Sequence, residues 1–169
     1  MSQASVDPSH PNLYPDPVEY EGRRLEGKVV VVFGASSGIG AAAVTRFARE
    51  GALVVAAARR ADRLDQLVTE VRSDGGEATA ATCDVRVEDD IARTVGETVS
   101  RYGQLDGAFN NAGVPGGGRP IHDLSAEALD ETLAVNLRGV ALCLKHEVLA
   151  MRDQARAAVL ALCAEPDTG

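Results

Sequence analysis

A turn made almost entirely of small residues follows the first apolar run of the sequence. It reads GASSGIG over residues 34–40 and comes directly after four valines at 29–32. Glycines allow a tight turn and the close approach of a pyrophosphate, and the helix that follows offers N–H groups and the positive end of its dipole. The spacing lacks the Gly-Lys-Ser/Thr ending of a P-loop. A tight strand-to-helix connection without a ligand is the alternative. The candidate phosphate-binding residues are Gly34, Ser36, Ser37, Gly38, Ile39 and Gly40.

Two arginines end the second apolar run, which reads VVAAARR. A site that selects NAD usually has an acidic residue here for the ribose hydroxyls, but Ala58 occupies that position. Arg59 and Arg60 follow it, and a guanidinium pairs well with a 2′-phosphate. We therefore predict that NADP(H) is favoured over NAD(H). The alternative is a solvated pair that leads into the next helix.

The elements that must position these residues alternate between two patterns. Continuous apolar runs, such as KVVVVF, are typical of strands covered on both faces, whereas ADRLDQLVTEVRSDGG repeats its apolar residues at helical spacing. Strand and helix alternate about five times, which predicts an α/β fold with a three-layer, Rossmann-type, doubly wound parallel sheet. The strands are predicted at 28–33, 52–59, 77–85, 105–113 and 157–164, and a long helical region at 125–153.

The length of 169 residues favours one domain. Residues 1–24 form a Pro-rich N-terminal arm, which we expect to be extended, and residues 25–169 form the dinucleotide-binding domain.

Composition excludes several classes of function. A net charge of −8 without a basic stripe argues against nucleic-acid binding. The three cysteines, Cys83, Cys143 and Cys163, are scattered without metal-ligand spacing, which indicates reduced thiols and no metal site. The N-terminus has no apolar signal-peptide core and no apolar run is long enough to span a membrane. We therefore expect a cytoplasmic protein.

Four motifs together resemble the short-chain dehydrogenase/reductase family over roughly residues 24 to 154. They are GASSGIG at 34–40, CDV at 83–85, NNAG at 110–113 and VNLRGV at 135–140. The resemblance implies hydride transfer between NAD(P)(H) and a small carbonyl or alcohol that the sequence does not identify. It also implies that Asp84 and Val85 contact the adenine, that Asn110, Ala112 and Gly113 line the cofactor and support the centre of the sheet, and that Asn136 is the catalytic asparagine. The helical region 125–153 would build the interface of a homo-oligomer.

The sequence departs from the family pattern in two places. Phe33 stands where the family usually has Thr, so we expect a glycine turn that is wider or less rigid. The catalytic Ser and the Tyr-x-x-x-Lys segment are not found: Ala164 falls on the Ser position, and no Tyr is followed by Lys four residues later. We expect a C-terminally truncated member with an incomplete sheet and little or no activity as an isolated chain. The alternative is a non-catalytic nucleotide-binding or partner-binding module.

Overall fold

The computed structural model describes residues 23–116, 120–152 and 158–161, the last of these by backbone only. Within them, five parallel strands form one sheet in the order β3-β2-β1-β4-β5. The strands are β1 (Val29–Phe33), β2 (Leu53–Ala58), β3 (Glu77–Thr82), β4 (Gly107–Asn110) and β5 (Ala158–Ala161). The predicted parallel sheet of the doubly wound type is confirmed. Of the predicted N-terminal arm, only residues 23 and 24 lie within the described part.

Five α-helices are described between and beside the strands. They are α1 (Gly38–Arg49), α2 (Ala61–Ser73), α3 (Glu88–Tyr102), α4 (Ala126–Leu133) and α5 (Val140–Met151). The long helical region predicted at 125–153 is two α-helices joined by a π-helical segment, Ala134–Gly139, which contains Asn136. Ser125 caps the start of α4, because its hydroxyl accepts a hydrogen bond from the Ala128 N–H at 3.2 Å.

The side chains of β1 alternate between two cores. Val30 and Val32 pack with α1 and α2 on one face of the sheet. Val31 and Phe33 pack with α3 and α5 on the other face. All five β1 side chains are buried, as the continuous apolar run predicts for a strand covered on both sides. The molecule therefore has the three-layer arrangement.

The chain order reverses beside β1, since β2 lies on one side of it and β4 on the other. In open parallel sheets, a crevice opens beyond the carboxyl ends of the strands at such a switch point. The glycine turn follows β1 and the NNAG segment follows β4, so both lie at this edge of the sheet.

Candidate functional site

A cleft of about 560 Å³ opens at the switch point. This volume lies within the range of roughly 300–1,000 Å³ that is typical of sites for small molecules and cofactors. Its walls come from the segments that follow β1, β2, β3 and β4, together with Val135 of the π-helical segment. All the residues predicted to bind the cofactor line this cleft except Gly40 and Asn110.

Gly34 and Gly40 let two segments of backbone meet at the base of the cleft. Gly34 has a φ of +80°, and a Cβ on it would lie 2.6 Å from the Ala112 nitrogen. A Cβ on Gly40 would lie 2.2 Å from the Gly34 carbonyl oxygen and 2.7 Å from Asn111 Nδ2. Real Cβ atoms essentially never approach so closely, so these glycines are required by packing. Gly40 therefore shapes the turn from behind the cleft.

The glycine turn is hydrogen-bonded to neighbouring segments although Phe33 stands where the family usually has Thr. The Gly34 N–H donates to the Ala57 carbonyl at 2.8 Å, and the Asn111 N–H donates to the Phe33 carbonyl at 3.1 Å. Asn111 Nδ2 adds a hydrogen bond of 3.3 Å to the Gly34 carbonyl. Backbone groups and one amide side chain thus make the connection to NNAG, and the expected width and rigidity of the turn stay a prediction.

The first turn of α1 faces the cleft without a side-chain cap. Ser37 at the N-cap has extended backbone and its hydroxyl accepts no hydrogen bond from the helix, and no acidic residue lies in the first turn. Gly38 and Ile39 at the start of the helix line the cleft. N–H groups that begin a helix without a partner, together with the helix dipole, favour an anion at this position.

Arg60 closes over the serines of the turn. Its Nη2 lies 2.9 Å from Ser36 Oγ and 2.7 Å from Ser37 Oγ, and its Nε lies 3.2 Å from Ser36 Oγ. Arg59 is exposed in the wall of the cleft and makes no hydrogen bond or ion pair with any residue that the structure describes. Two guanidinium groups and two hydroxyls therefore lie where the β2 end meets the glycine turn.

Asp84 and Val85 line the cleft beyond the end of β3. Hydrogen bonds from Arg86 hold the pKa of the Asp84 carboxyl below its usual range, so this group is ionised. Cys83 lies beside them and is 2% exposed. Burial raises the pKa of its thiol to about 11, so Cys83 is a neutral, inert wall residue.

Asn110 and Asn111 point in different directions, as successive residues at a strand end do. Asn110 is 1% exposed and its Nδ2 donates to Glu147 Oε2 of α5 at 3.0 Å. It therefore lies in the interior between β4 and α5 and is not among the residues that line the cleft, and its cofactor contact stays a prediction. Asn111, which was not among the predicted site residues, takes the lining position beside Ala112 and Gly113. The doubled Asn in the motif was the available signal.

Asn136 clamps the segment that follows β4. Its Nδ2 donates to the Val114 carbonyl at 2.9 Å, and its Oδ1 accepts from the Val114 N–H at 2.8 Å. Val114 lines the cleft, whereas Asn136 itself does not. The π-helical segment turns Asn136 toward this loop, which is consistent with the interruption that the family pattern implies. Its catalytic role stays a prediction.

Among residues 23–116 and 120–152, no group of three or more His, Cys, Asp or Glu side chains could hold a metal ion. The helices described here include none that is both long enough and apolar enough to cross a membrane.

The family model for short chain dehydrogenases matches residues 28–165. The chain belongs to the short-chain dehydrogenase/reductase family. It is 44% identical over 127 residues to the A-factor type gamma-butyrolactone 1'-reductase (1S-forming) of Streptomyces virginiae, which covers 75% of this chain and 49% of that protein. It is 42% identical over 141 residues to tropinone reductase-like 1 of Erythroxylum coca, which covers 82% of this chain and 51% of that protein.

Solved structures of the family agree in fold. A metagenomic short-chain oxidoreductase in complex with NADP superposes with a TM-score of 0.77 at 36% identity, over 82% of this chain and 62% of that chain. The chain thus spans about half the length of the curated relatives described above.

Proposed function

We propose that this chain is the dinucleotide-binding half of an NAD(P)(H)-dependent oxidoreductase and that it favours NADP(H) over NAD(H). One arrangement carries the proposal: the uncapped first turn of α1 and the Arg59–Arg60 pair open onto the same cleft. An anion at the helix start and a second one at the arginines match the pyrophosphate and the 2′-phosphate of NADP(H). Because Gly34 has no side chain and lies against the Ala112 backbone, no side chain obstructs the cofactor at this point.

The residues of the cleft divide the cofactor between them in this proposal. The N–H groups from Gly38 onward bind the pyrophosphate, and Ser36 and Ser37 add hydroxyls. Arg59 and Arg60 bind the 2′-phosphate. Asp84 and Val85 contact the adenine, and the 111–114 segment, held by Asn136, lines the path toward the nicotinamide. When bound, the nicotinamide supplies or accepts the hydride.

The reaction proposed for the family scaffold is reduction of a small carbonyl or oxidation of an alcohol. The 169 residues contain no Tyr-x-x-x-Lys segment to exchange the proton with the substrate oxygen. Ala164, which falls on the position of the catalytic Ser, lies outside the described residues. We therefore expect very slow hydride transfer from the isolated chain. The unpaired thiols of Cys83 and Cys143 favour a reducing compartment, so the proposed location is the cytoplasm.

A second candidate function is a partner-binding module, and the α4–α5 region favours it. Five large apolar side chains of this region are at least 44% exposed: Leu129, Leu133, Leu137, Val148 and Leu149. Exposed apolar groups concentrated in one region are typical of interaction sites. The partner proposed here is a second copy of this chain.

Equilibrium titration with NADPH and NADH tests the cofactor proposal. We expect NADPH to bind at least tenfold more tightly than NADH, because one phosphate paired with two guanidiniums contributes on the order of 1.5–3 kcal/mol. Replacement of both arginines, R59A/R60A, should remove most of that difference and leave NADH affinity within about threefold. R49A, which breaks an exposed pair with Asp74 at 3.1 Å, is the control for lost charge. Equal affinity for the two cofactors would contradict the NADP(H) preference. Absence of binding by both, in a folded protein, would contradict the whole proposal.

A further inference from the structure

Asp84 is the one carboxylate in the wall of the described cleft. It is hydrogen-bonded to Arg86, which does not line the cleft. Arg86 Nε lies 3.0 Å from both carboxylate oxygens of Asp84, and Arg86 Nη2 lies 2.5 Å from Oδ2. The Arg86 backbone N–H adds a hydrogen bond of 3.0 Å to Oδ1. Four contacts from one residue therefore fix both the position and the direction of this carboxylate.

Arg86 is itself fixed from the side away from the cleft. Its Nη1 donates to Glu131 Oε1 of α4 at 2.9 Å. The Arg86 carbonyl accepts a hydrogen bond of 2.8 Å from Arg138 Nη1 of the π-helical segment. The guanidinium thus bridges two carboxylates, and its place depends on helix packing and not on a ligand.

Arg59 lines the same cleft as Asp84 and acts on it through its charge, without a hydrogen bond between the two. It is among the groups that lower the pKa of the Asp84 carboxyl, although the hydrogen bonds from Arg86 lower it most. No described residue makes a hydrogen bond or an ion pair with Arg59. Without Arg86, the Asp84 carboxylate would lose its hydrogen-bonded cation, and Arg59, the group proposed to bind the 2′-phosphate, is a cation of the same cleft wall that already acts on it.

We infer that Arg86 is a positioning residue for cofactor selection: by holding Asp84, it keeps Arg59 available for the phosphate on the adenosine ribose. The inference rests on the proposed NADP(H) function. Arg86 touches no ligand in this role and acts through Asp84 and Arg59. Its loss exposes a carboxylate that both repels a ribose phosphate and competes for its cation.

The test compares 2′,5′-ADP with 5′-AMP, which share the adenosine and the 5′-phosphate and differ only in the 2′-phosphate. The measured quantity is the ratio of their dissociation constants, since a general loss of adenine binding cancels in it. We expect Arg86→Gln to lower the preference for 2′,5′-ADP by up to roughly fivefold, the upper end of what a partly exposed charge contact contributes. The double variant D84N/R86Q should restore the wild-type ratio to within about twofold, because the competing charge is gone. Arg72→Gln, at the far end of α2, removes the same charge and should leave the ratio unchanged.

The outcomes distinguish failure of the NADP(H) proposal from failure of the inference about Arg86. Wild-type protein without a preference for 2′,5′-ADP overturns the NADP(H) proposal and the inference together. A wild-type preference that Arg86→Gln leaves intact overturns the inference alone, as does a lost preference that D84N/R86Q fails to restore. If circular dichroism shows that Arg86→Gln does not fold, Arg86→Lys replaces it. Lysine keeps the charge but not the fork of contacts, so the ratio should fall about twofold, and an unchanged ratio overturns the inference.

Discussion

Glu147 is a carboxylic acid placed in the interior between α5 and β4. It has no exposed surface and accepts a hydrogen bond of 3.0 Å from Asn110 Nδ2. Its Oε1 has no hydrogen-bond partner among the described residues. Burial raises the pKa of Glu147 from 4.5 to about 7, although the Asn110 hydrogen bond opposes the shift. The neighbouring Cys143 thiol has its pKa raised by the same burial and stays neutral.

This shift makes the stability of the protein depend on pH in a defined window. Between pH 4.5 and 7, the unfolded chain loses the Glu147 proton while the folded chain keeps it. The folded state then binds more protons, so this group's contribution to stability falls as pH rises and is constant above about pH 7. The total is roughly 3 kcal/mol at 1.36 kcal/mol for each unit of pKa. Glu147→Gln removes this dependence. The gap, defined as the unfolding free energy of the variant minus that of the wild type, should therefore rise by about this amount from pH 4.5 to 7.

Urea unfolding at several pH values measures that gap. Glu97→Gln on the exposed face of α3 is the control for the loss of a carboxylate outside the core. A gap for Glu147→Gln that does not change with pH would show that the carboxyl titrates normally in the folded protein.

The residues of the site were predictable from the sequence where neighbouring residues alone determine their role. The glycine turn and the Arg59–Arg60 pair fall in consecutive residues, and the cleft contains both. Asn111 and Glu147 were missed for a physical reason: which side of a strand end faces the cleft, and which helix face meets β4, depend on long-range packing. Glu147 does follow Cys143 and precede Met151 at four-residue spacing, but only the folded structure shows that this face of α5 is the buried one.

At the scale of the elements, the α4–π–α5 region connects the cleft to a surface. Asn136 holds the Val114 loop from the inside, and Glu88 of α3 ties α5 through Lys145 at 2.6 Å and His146 at 3.2 Å.

Strands and helices were predictable because their periods differ, and β1 to β4 lie within the predicted ranges. The π-helical segment was not located as such from the sequence, because a single turn of six residues is too short to show a period of its own.

The exposed apolar side chains of this region predict self-association. Leu129 and Leu133 lie four residues apart on one face of α4, and Leu137 in the π-helical segment is 64% exposed. Light scattering after gel filtration should give twice the chain mass of 17.6 kDa at micromolar concentration. Leu137→Asp should raise the dimer dissociation constant at least tenfold, because a charge in an apolar interface costs several kcal/mol. Ile121→Asp, which changes an 82% exposed residue outside α4 and α5, is the control. A wild-type monomer at these concentrations, or a Leu137→Asp dimer of unchanged strength, would contradict the interface.

At the scale of the whole molecule, the charge of the cleft differs from the net charge of the chain. The chain carries a net charge of −8, yet its cleft gathers two arginines and one paired carboxylate around an uncapped helix start. The switch point beside β1 brings together segments that are up to about a hundred residues apart in sequence, from Gly34 to Val135. The fold class follows from the alternation of elements, but the balance of charge in the cleft follows only from the folded structure, since Arg86 has no sequence signal that links it to Glu131.

The most direct test of the central claim is an NMR titration of the ¹⁵N-labelled chain with NADPH. Saturable shifts should be largest for the amides of Gly38, Ile39 and Gly40, with further shifts at Arg59, Arg60 and Val85. The exposed end of α3 near Arg101 should stay unperturbed. Such a pattern would locate the dinucleotide at the α1 N-terminus and the arginine pair. Binding that leaves the amides of residues 38–40 unchanged, or no binding at millimolar NADPH, would contradict the account.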